Sequence, residues 1–194
     1  MTLTSKFEQA LVYSTVVHAA QNRKGTAIPY IAHLLAVTSI VLEHGGTETE
    51  AIAALLHDAV EDAGGRGRLE NISARFGNDV AEIVEACSDA ETQPKPPWRE
   101  RKVAYINRIS KKSPPARLVS AADKLHNARA ILADYRILGE DLWVRFAGKK
   151  DGTLWYYRSL VTAFRAAGDS PLIQELDRVV TQLEHLADGR GGAL

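Results

Sequence analysis

The sequence predicts an all-α protein of one domain, because three observations agree. Apolar residues recur at helical spacing along nearly the whole chain, beginning in the segment from Phe7 to His18. Proline and capping residues open several of these segments, and glycines close others. No run with strand periodicity leads into a hairpin turn. We expect about eight to ten helices packed as a single domain over residues 1–188, followed by a flexible tail at 189–194.

The predicted helices follow one another from the N-terminus. The first ends at a polar, basic loop at 22–26, and the second begins near Pro29 and ends at residues 44–46. Thr47 and Glu50 form a capping-box pattern that opens the third helix, which is predicted to reach 64–65. Alanines along this helix let neighbours approach closely, which favours a central position. Further helices are predicted at 69–76, 78–87, 99–111, 114–132, 142–146, 154–167 and 172–186, with loops at 64–68 and 89–98.

Composition excludes several classes of protein. The 194 residues carry 24 basic and 24 acidic side chains, so no overall field attracts nucleic acid or an anionic membrane. Cys87 is the sole cysteine, which excludes an intramolecular disulfide. The N-terminal residues lack the apolar run of a signal peptide, and no stretch has the ~20 apolar residues of a membrane span. We expect a cytoplasmic protein with no nucleic-acid or membrane partner, and the pattern leaves its oligomeric state open.

Ionisable side chains interrupt two otherwise apolar segments. Residues 54–62 include His57, Asp58, Glu61 and Asp62, and residues 120–127 include Asp123. Burying charge is costly unless the charge is paired or coordinates a metal. With His33 of the second helix, the chain offers two imidazoles and two carboxylates. This mixed donor set suits Mn, Fe, Co or Zn rather than Ca.

Each of these residues also has a structural interpretation. A histidine on an apolar helix face is frequently a packed core residue. Asp58 or Glu61 alone would fit a solvated helix position, and Asp123 would fit an ion pair with Lys124 or Arg129. The metal interpretation is favoured because the groups occur together in the most apolar helices, whereas surface charges belong on polar faces.

Four motifs, in order, resemble the HD superfamily of metal-dependent phosphohydrolases. Within it they resemble the RelA/SpoT-type alarmone hydrolases, including small stand-alone forms. The motifs are HAAQNRK at 18–24, PYIAH at 29–33, AALLHDAVED at 53–62 and ADKLHNAR at 122–129, with a weaker match at 157–160.

The resemblance implies a role for each matching residue. The protein ligands of one divalent metal ion, usually manganese, would be His33, His57, Asp58 and Asp123. Glu61 and Asp62 match the pair that orients and deprotonates the attacking water. Substrate binding would be supplied by Arg23, Lys24, Tyr30, Asn127 and Tyr157.

The implied reaction is removal of the 3′-pyrophosphate of ppGpp or pppGpp by a metal-activated water, giving GDP or GTP and pyrophosphate. We expect no synthetase domain, because the chain is too short for one. Two departures from the family pattern leave the nucleotide open: Ala63 follows the Glu-Asp pair where threonine is common, and residues 87–89 read Cys-Ser-Asp instead of Val-Thr-Lys. A second hypothesis is therefore an HD phosphohydrolase acting on another nucleotide, and a third is an idle module that binds a nucleotide or a partner protein. The segment 95–102 fits either a substrate lid with Trp98 as a stacking surface or a rigid surface loop.

Overall fold

A computed structural model describes residues 2–62, 64–88 and 96–189, and only the backbone of Asp62. Within these residues the chain forms ten α-helices, two short 3-10 segments and one isolated β-bridge. The prediction of an all-α fold is confirmed. The predicted tail beyond Gly189 and most of the predicted loop at 89–98 lie outside the described residues.

The helices are arranged in two compact units. The first contains Met1–Lys95 with Lys112–Asp123, and the second contains Pro96–Lys111 with Lys124–Leu194. A single domain over 1–188 stays a prediction. The α-helices are α1 (Ser5–Val17), α2 (Ile31–Glu43), α3 (Glu48–Leu56), α4 (Ala59–Asp62), α5 (Gly65–Phe76), α6 (Asn78–Cys87), α7 (Trp98–Arg108), α8 (Pro114–Leu138), α9 (Lys149–Ala167) and α10 (Pro171–Ala187), and the 3-10 segments are Ile109–Lys111 and Gly139–Arg145. No described helix combines the length and apolarity that crossing a bilayer requires.

Helix α3 forms the centre of the first unit. It packs against α1, α2 and α6, and its residues 51–56 are all buried. Three of these six residues are alanines, which bring the neighbouring backbones close, as the sequence predicts. The capping box is also present: the Thr47 N–H donates to Glu50 Oε2 at 2.6 Å. His57 follows directly after the last residue of this central helix.

The third helix is shorter than predicted. Helix α3 ends at Leu56, and His57 and Asp58 form a turn before the four-residue α4. The His57 side chain explains the break, because its Nδ1 lies 2.7 Å from the Ala54 carbonyl oxygen. In a continuous helix that oxygen would accept the Asp58 N–H.

The prediction of a loop at 64–68 is also wrong. Helix α5 begins at Gly65, after Gly64 turns the chain with a φ of 130°, a conformation that glycine adopts readily.

Helix α9 forms the centre of the second unit, where it packs against α7, α10 and both 3-10 segments. Trp98, the first residue of α7, lies on Gly148, which immediately precedes α9, and on Gly152 near the start of α9. A Cβ added at Gly148 would come within 2.6 Å of the Trp98 ring, and one at Gly152 within 3.2 Å. The Trp98 and Trp155 ring centroids are 6.3 Å apart. These contacts favour a packing role for Trp98 over the interpretation as a substrate lid.

Candidate metal centre

Two imidazoles and two carboxylates converge in the first unit. His33 comes from α2, His57 and Asp58 come from the turn after α3, and Asp123 comes from α8. The Nε2 atom of His33 lies 3.5 Å from Asp58 Oδ2 and 3.3 Å from Asp123 Oδ1. The Nε2 atom of His57 lies 3.1 Å and 3.7 Å from the same two oxygens. The structure therefore brings together all four residues that the sequence offers as ligands.

Burial of the cluster is uneven. His33 and His57 expose 1% and 3% of their surface, and Asp123 exposes 7%. The Asp58 side chain is 24% exposed and is the member most open to solvent. The apolar helices thus place the imidazoles at the bottom of the site, with Asp58 towards water.

Local hydrogen bonding prepares His57 to act as a ligand. Its Nδ1 donates to the Ala54 carbonyl oxygen at 2.7 Å, which leaves the lone pair on Nε2. The Nε2 atom is buried and makes no well-oriented hydrogen bond to a described residue, although Asp58 Oδ2 lies 3.1 Å away. A buried lone pair aimed at two carboxylates fits a bound cation.

The electrostatics of the cluster agree with that fit. Burial disfavours the charged form of His57, but the adjacent Asp58 and Asp123 carboxylates outweigh it and raise the His57 pKa well above its usual range. Burial likewise disfavours charge on Asp58, but the nearby imidazoles of His57 and His33 hold the Asp58 pKa well below its usual range. Because metal ligands must be deprotonated, binding of a cation to these residues would be coupled to proton release.

The donor chemistry defines the class of ion. His33, His57 and Asp58 place one ligand atom each within 4.8 Å of one another, and Asp123 Oδ1 faces both imidazoles. Mixed nitrogen and oxygen donors suit first-row transition metals and zinc, whereas calcium prefers six to eight oxygens. The donor set of the cluster thus fits a divalent metal ion.

Tyr30 makes a contact with the cluster that the sequence did not reveal. Its hydroxyl donates to Asp58 Oδ2 at 2.6 Å. Its ring stacks on His18 with centroids 5.2 Å apart and meets the His33 ring edge-on at 5.5 Å. The spacing of the two residues could have indicated this contact. Tyr30 precedes His33 by three residues at the start of α2, so the two side chains share one face of the helix.

The predicted substrate-binding residues Arg23, Lys24 and Tyr30 belong to one short hairpin. The Arg23 N–H donates to the Ile28 carbonyl oxygen at 2.8 Å, and the Tyr30 N–H donates to the Gln21 carbonyl oxygen at 2.9 Å. The Arg23 guanidinium lies over the Tyr30 ring, 5.8 Å from its centroid, and Lys24 is exposed. The sequence predicted only a polar loop here, because these two cross-chain hydrogen bonds have no signature in composition.

The other predicted site residues have different surroundings. Glu61 is exposed on α4, and the side chain of Asp62 lies outside the described residues. Asn127 follows Asp123 by one turn of α8, and Tyr157 is a buried residue of α9 with 6% of its surface exposed. Both Asn127 and Tyr157 belong to the second unit.

Comparison with known proteins identifies the family. The HD domain family model matches residues 10–153. A guanosine-3′,5′-bis(diphosphate) 3′-pyrophosphohydrolase of Xenopus tropicalis is 40% identical over 124 residues, covering 62% of this chain and 66% of that protein. The protein of the same name from Drosophila melanogaster is 35% identical over 129 residues, covering 65% of this chain and 69% of that protein.

Solved structures lead to the same family. The structure of a metazoan SpoT ortholog that hydrolyses ppGpp superposes with a TM-score of 0.79 at 28% identity, covering 94% of this chain and 98% of that one. The chain therefore belongs to the HD domain family, and its resemblance to the RelA/SpoT-type hydrolases is confirmed.

Proposed function

We propose that this protein is a manganese-dependent hydrolase that removes the 3′-pyrophosphate from ppGpp or pppGpp. The observation that carries the proposal is the convergence of His33, His57, Asp58 and Asp123 in a chain whose relatives bear the name of that activity. The substrate is a small nucleotide rather than a nucleic acid, and the zero net charge supports this.

The four residues of the cluster would hold the ion. Their two nitrogen and two oxygen donors match manganese, although the same set also accepts iron, cobalt or zinc. A bound divalent ion supplies Lewis acidity towards phosphate oxygens and lowers the pKa of water to near neutrality. The hydrogen bond to the Ala54 carbonyl oxygen fixes the tautomer of His57. The Asp58 side chain, which is 24% exposed, leaves one side of the site accessible to solvent.

Glu61 and Asp62 are the proposed general base and its partner. They follow Asp58 by three and four residues, in the short helix α4. Glu61 is exposed, as a group that takes a proton from a solvent water must be at some stage of the reaction. The break between α3 and α4 gives this pair a helix of its own, separate from the one that positions His57.

The proposed nucleotide contacts are the five residues that the family resemblance implies. Arg23 presents a flat cation that would stack on the guanine base, and the exposed Lys24 would meet the phosphates. By resemblance, Asn127 would contact the sugar and Tyr157 the phosphates. Tyr30 is the hairpin residue that also touches the metal cluster.

A second candidate is an HD phosphohydrolase for another nucleotide. It is favoured by the departure at residues 87–89, where the lysine of the family pattern is replaced by aspartate. Here Cys87 Sγ lies 3.5 Å from Ser120 Oγ, one turn before Asp123 on α8. Cys87, the first residue of the segment that differs from the family, is thus in contact with the helix that carries a proposed ligand.

A substrate panel separates these candidates. Purified full-length protein is stripped with chelator, reloaded with Mn²⁺, and incubated with ppGpp, pppGpp, deoxynucleotides and dinucleotides, with products separated by chromatography. We expect GDP or GTP plus pyrophosphate from the alarmones, no turnover without metal, and recovery on reloading. Cleavage of another nucleotide with ppGpp intact would establish the second candidate. Inert protein that still binds ppGpp would indicate an idle binding module.

A further inference from the structure

We propose that Tyr30 is a positioning residue that holds the Asp58 carboxylate in place for the metal ion. The inference rests on the proposed metal site and assigns Tyr30 a role beyond lining the nucleotide pocket. It starts from a single oxygen atom, Asp58 Oδ2, on which three groups converge. The Tyr30 hydroxyl lies 2.6 Å from it, His57 Nε2 lies 3.1 Å from it and His33 Nε2 lies 3.5 Å from it.

The hydrogen bond from Tyr30 is compatible with a cation on the same oxygen. A carboxylate oxygen has two lone pairs, so it can accept from the phenol with one and face the imidazoles with the other. In this contact the phenol acts only as a donor, because the ionised carboxylate has no proton to give. Tyr30 therefore orients Asp58 without competing for the metal.

Asp58 is the cluster member that most needs such support. It lies in the turn between α3 and α4 instead of inside a helix, and its side chain is 24% exposed. His33, by contrast, lies within α2 and is only 1% exposed. Packing therefore holds His33 firmly, whereas it leaves Asp58 free to choose among side-chain rotamers. A directed hydrogen bond of 2.6 Å removes that freedom.

Tyr30 can hold Asp58 because it is itself fixed at its backbone and at its ring. Its N–H donates to the Gln21 carbonyl oxygen at 2.9 Å. Its ring lies against His18, with an angle of 24° between the ring planes. His18 is in turn held by a 2.6 Å hydrogen bond between Nδ1 and Gln21 Oε1. The base of the hairpin thus forms a rigid support behind the most exposed ligand.

Such a support has a measurable effect on metal binding. Residues that hydrogen-bond to metal ligands typically contribute ~10–100-fold to metal affinity. Tyr30→Phe removes the hydroxyl and keeps the ring stack, so it tests the hydrogen bond alone. Tyr13→Phe is the matched control, because it removes another phenol of the first unit that donates to Asn71 Oδ1 at 2.8 Å.

The experiment measures Mn²⁺ binding to the full-length proteins by titration calorimetry, and the visible absorption of the Co²⁺-loaded forms. We expect Tyr30→Phe to weaken Mn²⁺ binding by roughly 10–100-fold and to shift the Co²⁺ bands at saturation. Tyr13→Phe should match the wild type in both measurements. Equal Mn²⁺ affinity in Tyr30→Phe and wild type would overturn the inference, as would equal weakening in the two phenylalanine variants.

The apoprotein provides a second measurement that needs no metal. Melting temperatures in chelator are compared for Tyr30→Phe, Asp58→Ala and the double variant. Because the two side chains share a hydrogen bond, their effects should be non-additive, and strictly additive effects would contradict the inference. Failure of the wild type to bind any divalent ion would instead refute the proposed function, so the two failures are distinguishable.

Discussion

The two units each contain a cluster of ionisable side chains, but the chemistry of the clusters differs. The first unit joins two imidazoles to two carboxylates at His33, His57, Asp58 and Asp123. The second joins guanidinium groups to carboxylates between α9 and α10, where Arg158 donates to Asp177 and Glu184, and Arg165 donates to Asp177. Both clusters join side chains from different elements of the fold, so their position alone does not separate a functional site from a structural one.

The difference lies in what each group can offer to a ligand. Every member of the first cluster has a lone pair available to one cation once its proton has left. A guanidinium keeps its protons at any physiological pH and offers donors only. Arg158 accordingly donates its hydrogen bonds to acceptors within the second cluster. Its Nε lies 3.0 Å from Glu184 Oε1 and its Nη2 lies 2.8 Å from Thr181 Oγ1. A cluster of imidazoles and carboxylates indicates a metal centre, whereas one completed by arginine indicates a structural bridge between helices.

The largest expected effect comes from removing a carboxylate of the first cluster. Asp123→Ala removes the oxygen that lies 3.3 Å from His33 Nε2 and 3.7 Å from His57 Nε2. We expect Mn²⁺ affinity to fall by more than ~100-fold, beyond the range seen for residues that only support a ligand, and turnover to fall to background. Asp79→Ala, which removes an exposed carboxylate from α6, should retain both. Full metal occupancy in Asp123→Ala would contradict the ligand assignment.

Glu61→Gln should separate catalysis from metal binding. The amide keeps the size of the side chain but cannot accept a proton at neutral pH, so we expect kcat to fall by ~10²–10⁴-fold. Because Glu61 is not among the four proposed ligands, calorimetry should show unchanged Mn²⁺ affinity. Unaltered kcat in this variant would remove Glu61 from the mechanism.

Arg158→Ala tests the second cluster, and its effect should fall on stability instead of activity. The substitution removes the Arg158 guanidinium from the Asp177 and Glu184 carboxylates, which are 21% and 26% exposed, and leaves Arg165 as the guanidinium on Asp177. We expect the free energy of unfolding to fall by ~2 kcal/mol, less than for a fully buried pair because solvent screens part of the charge.

A matched control is available on the neighbouring helix. Arg178→Ala removes an arginine that is 65% exposed and pairs with Glu175, so it should cost less than ~0.5 kcal/mol in denaturant titrations. Mn²⁺ affinity should be the same in both arginine variants. A large loss of metal affinity in Arg158→Ala would show that the second cluster is not purely structural.

The smallest expected effect is a pH dependence of stability that arises from Asp177. Burial opposes ionisation of this carboxyl, but Arg158 and Arg165 outweigh it and lower the Asp177 pKa. A lowered folded-state pKa stabilises the fold above the unfolded value of about 3.9 and loses that contribution as the pH falls through the folded value. Asp177→Asn should therefore be less stable than the wild type at pH 7, with the gap narrowing below about pH 4. A gap that stays constant across urea titrations from pH 7 to pH 3 would exclude this linkage.

Several features were predictable because their causes are local. The capping box of Thr47 and Glu50, the alanine-rich centre of α3 and the boundary at Gly77 each follow from a few adjacent residues. The four proposed ligands were also predictable, because charge within an apolar helix requires a partner wherever the helix packs. The break after Leu56 was not predictable from helical periodicity, since it depends on the His57 side chain, which donates a hydrogen bond to the Ala54 carbonyl oxygen.

The sequence by itself determined that this protein is helical and which side chains must find a partner or an ion, because both follow from periodicity and the cost of burying charge. Only the tertiary structure decided how those side chains meet. It brought His33, 24 residues before His57, within reach of the same carboxylates, and it placed the Tyr30 hydroxyl on Asp58 across 28 residues of chain. Contacts between distant segments depend on how helices pack, and packing is a property of the whole assembled core.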